Sequence, residues 1–476
     1  MKYTKLALAV AISSIVSTNA IATNGYFSHG YGAKEKGMAG AGVAKGGNSI
    51  STANNPASLL QVGERMDWGI SIFNPVRSMS VSGGPSFPEG TTPVLGLPQS
   101  GCTQPGVLPC QIPFSHNTGT NDSSSEWFPI PSFGFSAKID DQMMWGISLY
   151  GNGGMNTDYR SGSARVLDPT SLPTGGTIVN SPGIYGAGNA GVDLMQLFVN
   201  TSIAYQASEK VGLGFSLIFA AQAFEATGLS PFGNNSLNPS ALTNNGHDTS
   251  TGFGVKLGAN FDLSDNLTLG ISYQSKMEMS EFDDYAGLFA EGGDFDIPST
   301  YTVGIAWETS PNSTLLLDYQ AINYTDVASI SNPITPLITN CIDSLNNTLF
   351  AGSPTPLPAT GDGCLGGSNG AGFGWDDVSV YKLGYEWSSG DDVYRVGYST
   401  TDQPIASSQV NFNLLAPGVV EDHLTAGYTM KRGENEWTFF IMYAPEVEVS
   451  GTSGFDPAQT ISFKMHQLEF GVDFQF

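Results

Sequence analysis

Four cysteines, five histidines and a short list of arginines are the side chains from which this 476-residue chain could build chemistry. The cysteines form two pairs, Cys102 with Cys110 and Cys341 with Cys364, each in a Pro/Gly-rich stretch that reads as a loop. Zinc needs ligands spaced as in C-x2-C, and neither pair offers that, so two local disulfides are expected. His29, His116, His247, His423 and His466 are scattered along the chain, and no serine lies in a recognisable hydrolase motif. Catalysis needs a nucleophile and a base, or an acid and a histidine, held within reach. The chain is therefore read as no enzyme, with a hydrolase as the lesser alternative; no cofactor and no metal site are called for. Arg77 and Arg160 fall near strand ends, where a carboxylate ligand could meet them, and Gly151, Gly153 and Gly154 form a backbone able to bulge.

The elements that must carry these residues begin with an export signal. Lys2 and Lys5 precede an apolar stretch from Leu6 to Val16, and Ala20-Ile21-Ala22 has the small residues a signal peptidase cuts, so residues 1–22 are expected to be removed. No later segment has the roughly 20 uninterrupted apolar residues of a spanning helix. Charged residues are only 13% of the chain, about half the share in soluble proteins, while Gly (59) and Tyr (18) are abundant. The formal charge is −25, and loss of Lys2 and Lys5 makes it −27. A nucleic-acid partner is excluded by repulsion of its phosphates. The acidity suits exposed loops, with divalent cations as an unlocated alternative.

Strict alternation of apolar with small or polar residues recurs along most of the chain. Leu267, Leu269, Ile271 and Tyr273 alternate with Thr268, Gly270, Ser272 and Gln274; Leu468, Phe470, Val472, Phe474 and Phe476 alternate with Glu469, Gly471, Asp473 and Gln475. Fourteen such segments are expected: 65–76, 128–139, 142–155, 192–206, 210–227, 250–262, 265–283, 295–308, 312–328, 376–388, 391–403, 420–432, 435–449 and 461–476. Each can cross a bilayer as a tilted strand of about 9 to 11 residues. Their connections alternate long and short, with tight turns at Asp140-Asp141, near Ser208, and at Ser264-Asp265, Ser310-Pro311, Ser389-Gly390 and Gly433-Glu434. Outer-membrane barrels have this asymmetry, and an even strand number puts both ends in the periplasm. Trp68, Trp145, Tyr301, Trp307, Tyr381, Tyr385, Trp387, Trp437 and Tyr443 take the outward register, as interfacial girdles do. Unpaired edges are untenable in hydrocarbon, so the expectation is an all-β, closed antiparallel barrel over 65–476, with its lumen lined by small polar groups. A β-sandwich would alternate too, but has no need of aromatics at both ends of its stripes.

Fourteen strands enclose more space than side chains fill. Residues 23–64, with no strand pattern and many small residues, are expected to plug it as a hatch of short helices and turns. The run from Asn54 includes Asn55-Pro56-Ala57. With Tyr150-Gly151-Asn152-Gly153-Gly154, Thr157-Asp158-Tyr159, Ile297-Pro298-Ser299-Thr300-Tyr301, Asp318-Tyr319-Gln320, Asn323-Tyr324, Tyr381-Lys382-Leu383-Gly384-Tyr385, Tyr394-Arg395-Val396-Gly397-Tyr398, Pro417-Gly418 and Asp422-His423-Leu424-Thr425-Ala426-Gly427, it resembles the FadL-type long-chain fatty acid and hydrocarbon transporters of Gram-negative outer membranes. The resemblance spans the mature chain from hatch to last strands; the long loops depart most from the family pattern.

The resemblance implies uptake of hydrophobic small molecules, long-chain fatty acids foremost, through an apolar pocket above the hatch, and release sideways through a kinked third strand at Gly151, Gly153 and Gly154. Phe27 and its neighbours would respond to ligand, and Asn55, Pro56 and Ala57, the motif near which the family's hatch ends, are counted with them among the ligand-binding or gating residues. The strongly acidic exterior keeps neutral hydrocarbons and aromatics open as ligands. An open porin is the other alternative, although a water-filled pore has no use for a hatch. The expected surroundings are outer-membrane lipid and lipopolysaccharide, and the expected state is a monomer.

Overall fold

The computed structural model describes residues 24–92, 113–168, 170–171, 176–353, 355–433 and 435–475. The expected leader 1–22 and the Cys102–Cys110 pair lie outside them. One antiparallel sheet holds sixteen strands, of which Gly119–Asp122 and Glu278–Met279 are short additions, so sixteen less two gives a wall of fourteen. The wall strands are β1 (Arg65–Ser82), β2 (Phe128–Lys138), β3 (Met143–Asn156), β4 (Gly191–Ser208), β5 (Val211–Thr227), β6 (Asp248–Ser264), β7 (Leu267–Gln274), β8 (Thr300–Ser310), β9 (Ser313–Ile322), β10 (Val378–Ser389), β11 (Asp392–Thr401), β12 (Asp422–Arg432), β13 (Asn435–Thr452) and β14 (Thr460–Gln475). Each pairs with its neighbours in sequence, and β1 pairs with β14 from Asp67 against Gln475 to Ser82 against Thr460, which closes the barrel. Closure leaves no edge to be satisfied by hydrocarbon.

The alternation sorts side chains as expected on the outside of the wall. Trp68, Tyr301 and Tyr381 are more than half exposed on the outside, and Trp145, Trp307, Trp437 and Tyr443 face outward with them. Tyr385, Trp387, Tyr394 and Tyr428 stack in a row across β10, β11 and β12. Among the described residues no helix is long and apolar enough to cross a membrane.

Three wall strands are shorter than their alternation. The patterns over 265–283, 295–308 and 312–328 shrink to Leu267–Gln274, Thr300–Ser310 and Ser313–Ile322. Beyond Gln274 the chain folds inward, where Met277 and Ile297 exchange backbone hydrogen bonds of 2.9 and 3.1 Å and Met279, Phe282 and Phe295 are buried. The apolar partner of that alternation is protein, and Pro298 has no N–H to give to a ladder.

The lumen also differs from the expectation of small polar groups throughout. Down the inner face of β14, Ile461, Phe463 and Met465 give way to Gln467, Glu469 and Asp473; on β4, Val192, Leu194 and Phe198 give way to Asn200 and Ser202. All are buried. The half near the short turns is polar because it holds the hatch, and the half near the long loops is an apolar core.

The hatch, Asn24–Gly63, contains the short helices α1 (Ala33–Lys36) and α2 (Leu59–Val62) and two 3-10 turns, Ser49–Ala53 and Pro56–Ser58. Asn48 and Asn55 cap these turns, accepting from Ile50 N at 3.0 Å and Ala57 N at 3.0 Å. Wall carboxylates finish the job: Asp318 accepts from the Gly42 and Val43 amides (2.7 and 2.9 Å), Asp473 from the Ala33 amide (2.7 Å) and Asp67 from the Ser49 amide (2.9 Å). Buried ion pairs join Lys34 to Glu436 and Lys36 to Glu469, and a half-buried one joins Lys45 to Glu386 at 3.0 Å. Charge-assisted hydrogen bonds to the wall fix the hatch in position together with the burial of Tyr26, Phe27, Met38, Ile50 and Leu59.

Candidate functional site

The wall has a gap in its long-loop half, between β2 and β3. Pairing of these strands runs only from Phe133–Leu149 to Lys138–Met144, so β3 from Tyr150 onward has no partner on β2. On its other side the register of β3 against β4 breaks between Gly151 and Gly153, with Asn152 as the extra residue. A bulge bends its strand and frees ladder groups.

Those groups are taken by the hatch tip. Ser28 N donates to Asn152 O at 2.8 Å, Gly154 N donates to Tyr26 O at 3.1 Å, and Phe27 bridges Gly153. The segment lies so close that a side-chain carbon on Gly153 would sit 1.7 Å from the Tyr26 carbonyl oxygen. Tyr26 and Phe27 are buried against Tyr324 (ring centroids 5.5 and 6.0 Å), Tyr26 also against Trp375 (6.1 Å) and Phe295 (6.3 Å). The Tyr324 hydroxyl donates to Asn24 O and accepts from Tyr26 N. An aromatic plug thus stands behind the gap.

Three cavities lead towards it. A groove of about 1050 Å³ among the long loops is lined by Phe114, Val166, Phe232, Leu345 and Phe455. Phe232 also borders an inner cavity of about 40 Å³, walled by Phe224, Phe289, Phe373, Phe412 and Leu415. The same two loop segments continue as Trp375 and Ala416 into a third cavity of about 20 Å³, beside Gly25, Arg77 and Gly154 at the gap. Ligand pockets usually hold about 300–1,000 Å³, so the groove has room for a small molecule while the inner two are closed down.

Arg77 faces inward from β1, is only 6% exposed, donates to Ser125 O and lies 5.8 Å over the Phe128 ring. Among the described residues no carboxylate pairs with it, and its Nε has no partner. Arg160 lies elsewhere: it is exposed and bound to Asp158 at 2.6 Å. Asn55, Pro56 and Ala57 sit at the hatch floor, far along the barrel from the gap. Asn55 donates to Val43 O (2.7 Å) and Asn260 Oδ1 (2.8 Å), and Gly258 and Gly214 leave room for Asn55 and Ala57 to touch the wall. Cys341 and Cys364 are disulfide-bonded in the long loop between β9 and β10 and lie in the apolar core. The residue pattern alone did not show the apolar upper lumen, which only the resemblance implied, because its register is that of polar residues lower on the same strands; the inward run Ile461, Phe463, Met465 was the available signal.

Among the described residues no group of His, Cys, Asp or Glu is placed to hold a metal. Near the mouth, Asp294 is pushed up to about 7 by burial and by Asp296 beside it. His247, just before β6, donates to Asp193 at 3.0 Å and lies 3.3 Å from Glu225, tying β4 to β5. The hydrogen bond to Asp193 raises its pKa above the ordinary 6.5 against the opposing effect of partial burial. A raised pKa means that the tie is complete below about 6.5 and is lost as pH rises through the higher folded value. Protection from hydrogen exchange in the upper ends of β4 and β5, taken relative to the intrinsic rate at each pH, should therefore fall across that interval, and His247→Gln should abolish that fall; an unchanged protection profile would remove His247 as its source.

Residues 179–326 match the family model "Outer membrane protein transport protein (OMPP1/FadL/TodX)". No curated protein matches the chain. Among solved structures it is similar to the Pseudomonas putida toluene transporter TodX (16% identity, 94% of this chain and 98% of that one, TM-score 0.59). It is also similar to the Ralstonia pickettii toluene transporter TbuX (15%, 94% and 98%, TM-score 0.54) and to a Pseudomonas aeruginosa FadL homologue (14%, 95% and 99%, TM-score 0.60). At these identities the structures speak for the fold, a hatched fourteen-stranded barrel, and the family model speaks for the segment it matches. The chain thus has the fold of these outer-membrane barrels, and over residues 179–326 it is similar to the OMPP1/FadL/TodX family.

Proposed function

We propose that this barrel takes up hydrophobic small molecules, long-chain fatty acids among them, and discharges them sideways through the gap in β3. The observation that carries this reading is the series of apolar cavities from the loop groove to the gap. An acyl chain gains about 0.8 kcal/mol for each CH2 it buries, so a greasy path beats a water-filled one. With the inner cavities closed down, passage requires the plug of Tyr26, Phe27 and Trp375 to move. An open porin does not fit a lumen filled by hatch and apolar core. We read the protein as a monomer in outer-membrane lipid and lipopolysaccharide, exported with a cleaved leader, and assign it no catalytic role.

Arg77 supports a carboxylate-bearing ligand, because it is a buried cation beside the gap with which no carboxylate among the described residues forms an ion pair. Neutral hydrocarbons are the second reading: the inner cavity is walled by apolar side chains apart from Ser329, whose hydroxyl is occupied by Asp294 O. Arg77→Gln separates the two. A charge-assisted hydrogen bond is worth about 1.5–3 kcal/mol, so the half-saturating oleate concentration should rise about tenfold or more while toluene uptake holds. Equal oleate uptake would remove Arg77 from the binding site. Unimpaired uptake of both compounds in cells lacking the gene would refute the transport reading itself.

A further inference from the structure

A chain of buried side-chain amides runs along the inner wall at the level of the gap. The Tyr31 hydroxyl donates to Asn152 Oδ1 at 3.1 Å, Asn152 Nδ2 to Gln196 Oε1 at 2.9 Å, Gln196 Nε2 to Gln222 Oε1 at 2.7 Å, and Gln222 Nε2 to Phe295 O at 2.8 Å. Gln196 and Gln222 stand directly opposite each other on β4 and β5, and Asn152, Gln196 and Gln222 are all at least 97% buried. Every bond points the same way round the barrel, so no amide can turn over without breaking its bonds on both sides.

The ends of this chain matter more than its middle. At one end Asn152 is the bulged residue of β3, held from behind by the Ser28 amide. At the other, the Phe295 ring packs on Phe289, a wall of the inner cavity, with centroids 4.8 Å apart. Phe295 also meets Tyr26, whose carbonyl holds Gly154. A polar arm and an aromatic arm therefore both connect the inner cavity to the same few residues of β3.

We infer that Gln196 and Gln222 are positioning residues that link the inner cavity to the bulge: with Phe295 in place the amides hold Asn152 and the gap stays shut, and displacement of Phe295 by an entering ligand lets Asn152 go. The inference rests on the uptake reading for its purpose, but not for its test. In low dielectric a half-satisfied amide chain costs more than a complete or an absent one, so the chain tends to be made or broken as a unit. No charge is involved, and the link should be insensitive to salt.

The test uses the full chain in detergent micelles without added ligand. Gln222→Met keeps the volume and severs the link at Phe295; Gln196→Met severs it nearer the bulge. Gln274→Met removes a buried lumen amide outside the chain and serves as the control. With one buried hydrogen bond lost, amide exchange over residues 24–28 and 150–156 should quicken about tenfold in either relay variant and not in the control. In cells, Gln222→Met should alter the maximal rate of oleate uptake while the half-saturating concentration stays within about twofold. Unchanged exchange over both segments, with the barrel intact, would overturn the link, as would acceleration spread evenly over all wall strands. If the unaltered protein carries neither oleate nor toluene, the uptake reading falls while the exchange result still decides the link.

Discussion

Gly153→Ala will drive the hatch tip out of the wall, and Gly153→Val will do no worse. The clash is with the first side-chain carbon, 1.7 Å from the Tyr26 carbonyl oxygen and 3.2 Å from Phe27 Cα, both parts of a backbone that cannot swing aside. Relief requires giving up the Ser28–Asn152 and Gly154–Tyr26 hydrogen bonds and loosening the buried rings of Tyr26 and Phe27. At about 1 kcal/mol for each hydrogen bond and about 1.5–3 kcal/mol for a large ring returned to water, the tip is destabilised by several kcal/mol. A cysteine placed at Phe27 should then label with a water-soluble maleimide at least a hundred times faster than in the unaltered background. Labelling at the background rate in Gly153→Ala would show that the wall tolerates a side chain there and that the close approach is not what holds the tip.

The second large effect is expected at the floor. Lys36→Met leaves the Glu469 carboxylate, fully buried, with only the Ser71 hydroxyl (2.6 Å) and a 3.7 Å approach from His29. Removing one member of a buried pair typically costs about 3–5 kcal/mol, more than replacing both by apolar groups. The single variant should show a clear fall in the denaturant midpoint of hatch release, seen as steady ion current in planar bilayers, and the double variant Lys36→Met/Glu469→Leu should recover most of it. A double variant as leaky as the single would mean that the pair is itself a net stabiliser, contrary to this account.

The wall was legible because lipid and water impose a two-residue period on every strand they flank. Where protein replaced lipid as the apolar neighbour, as beyond Gln274 and before Thr300, the same period persisted and the strand ends were misjudged. The count of basic residues was informative only in part. It left a short choice for a ligand but could not say which cations were already taken: Lys34, Lys36 and Lys45 are engaged with Glu436, Glu469 and Glu386, contacts up to 433 positions apart in the chain that no local pattern can reveal. Asn55-Pro56-Ala57 and the glycines of β3 could be picked out as unusual from their types alone. That Arg77 turns inward depends on a strand running on to Ser82, six residues past its expected end, while Arg160 lies exposed in a loop.

The division of the lumen into a charged floor and a greasy upper storey has a bearing on the cell envelope. On the proposed sideways route, cargo would never cross the level of the ion-paired hatch, and that level would stay shut during every cycle. Abundant copies could then feed the membrane's own lipid phase without becoming a leak for hydrophilic antibiotics, and susceptibility to small polar drugs should not track the number of these barrels a cell displays.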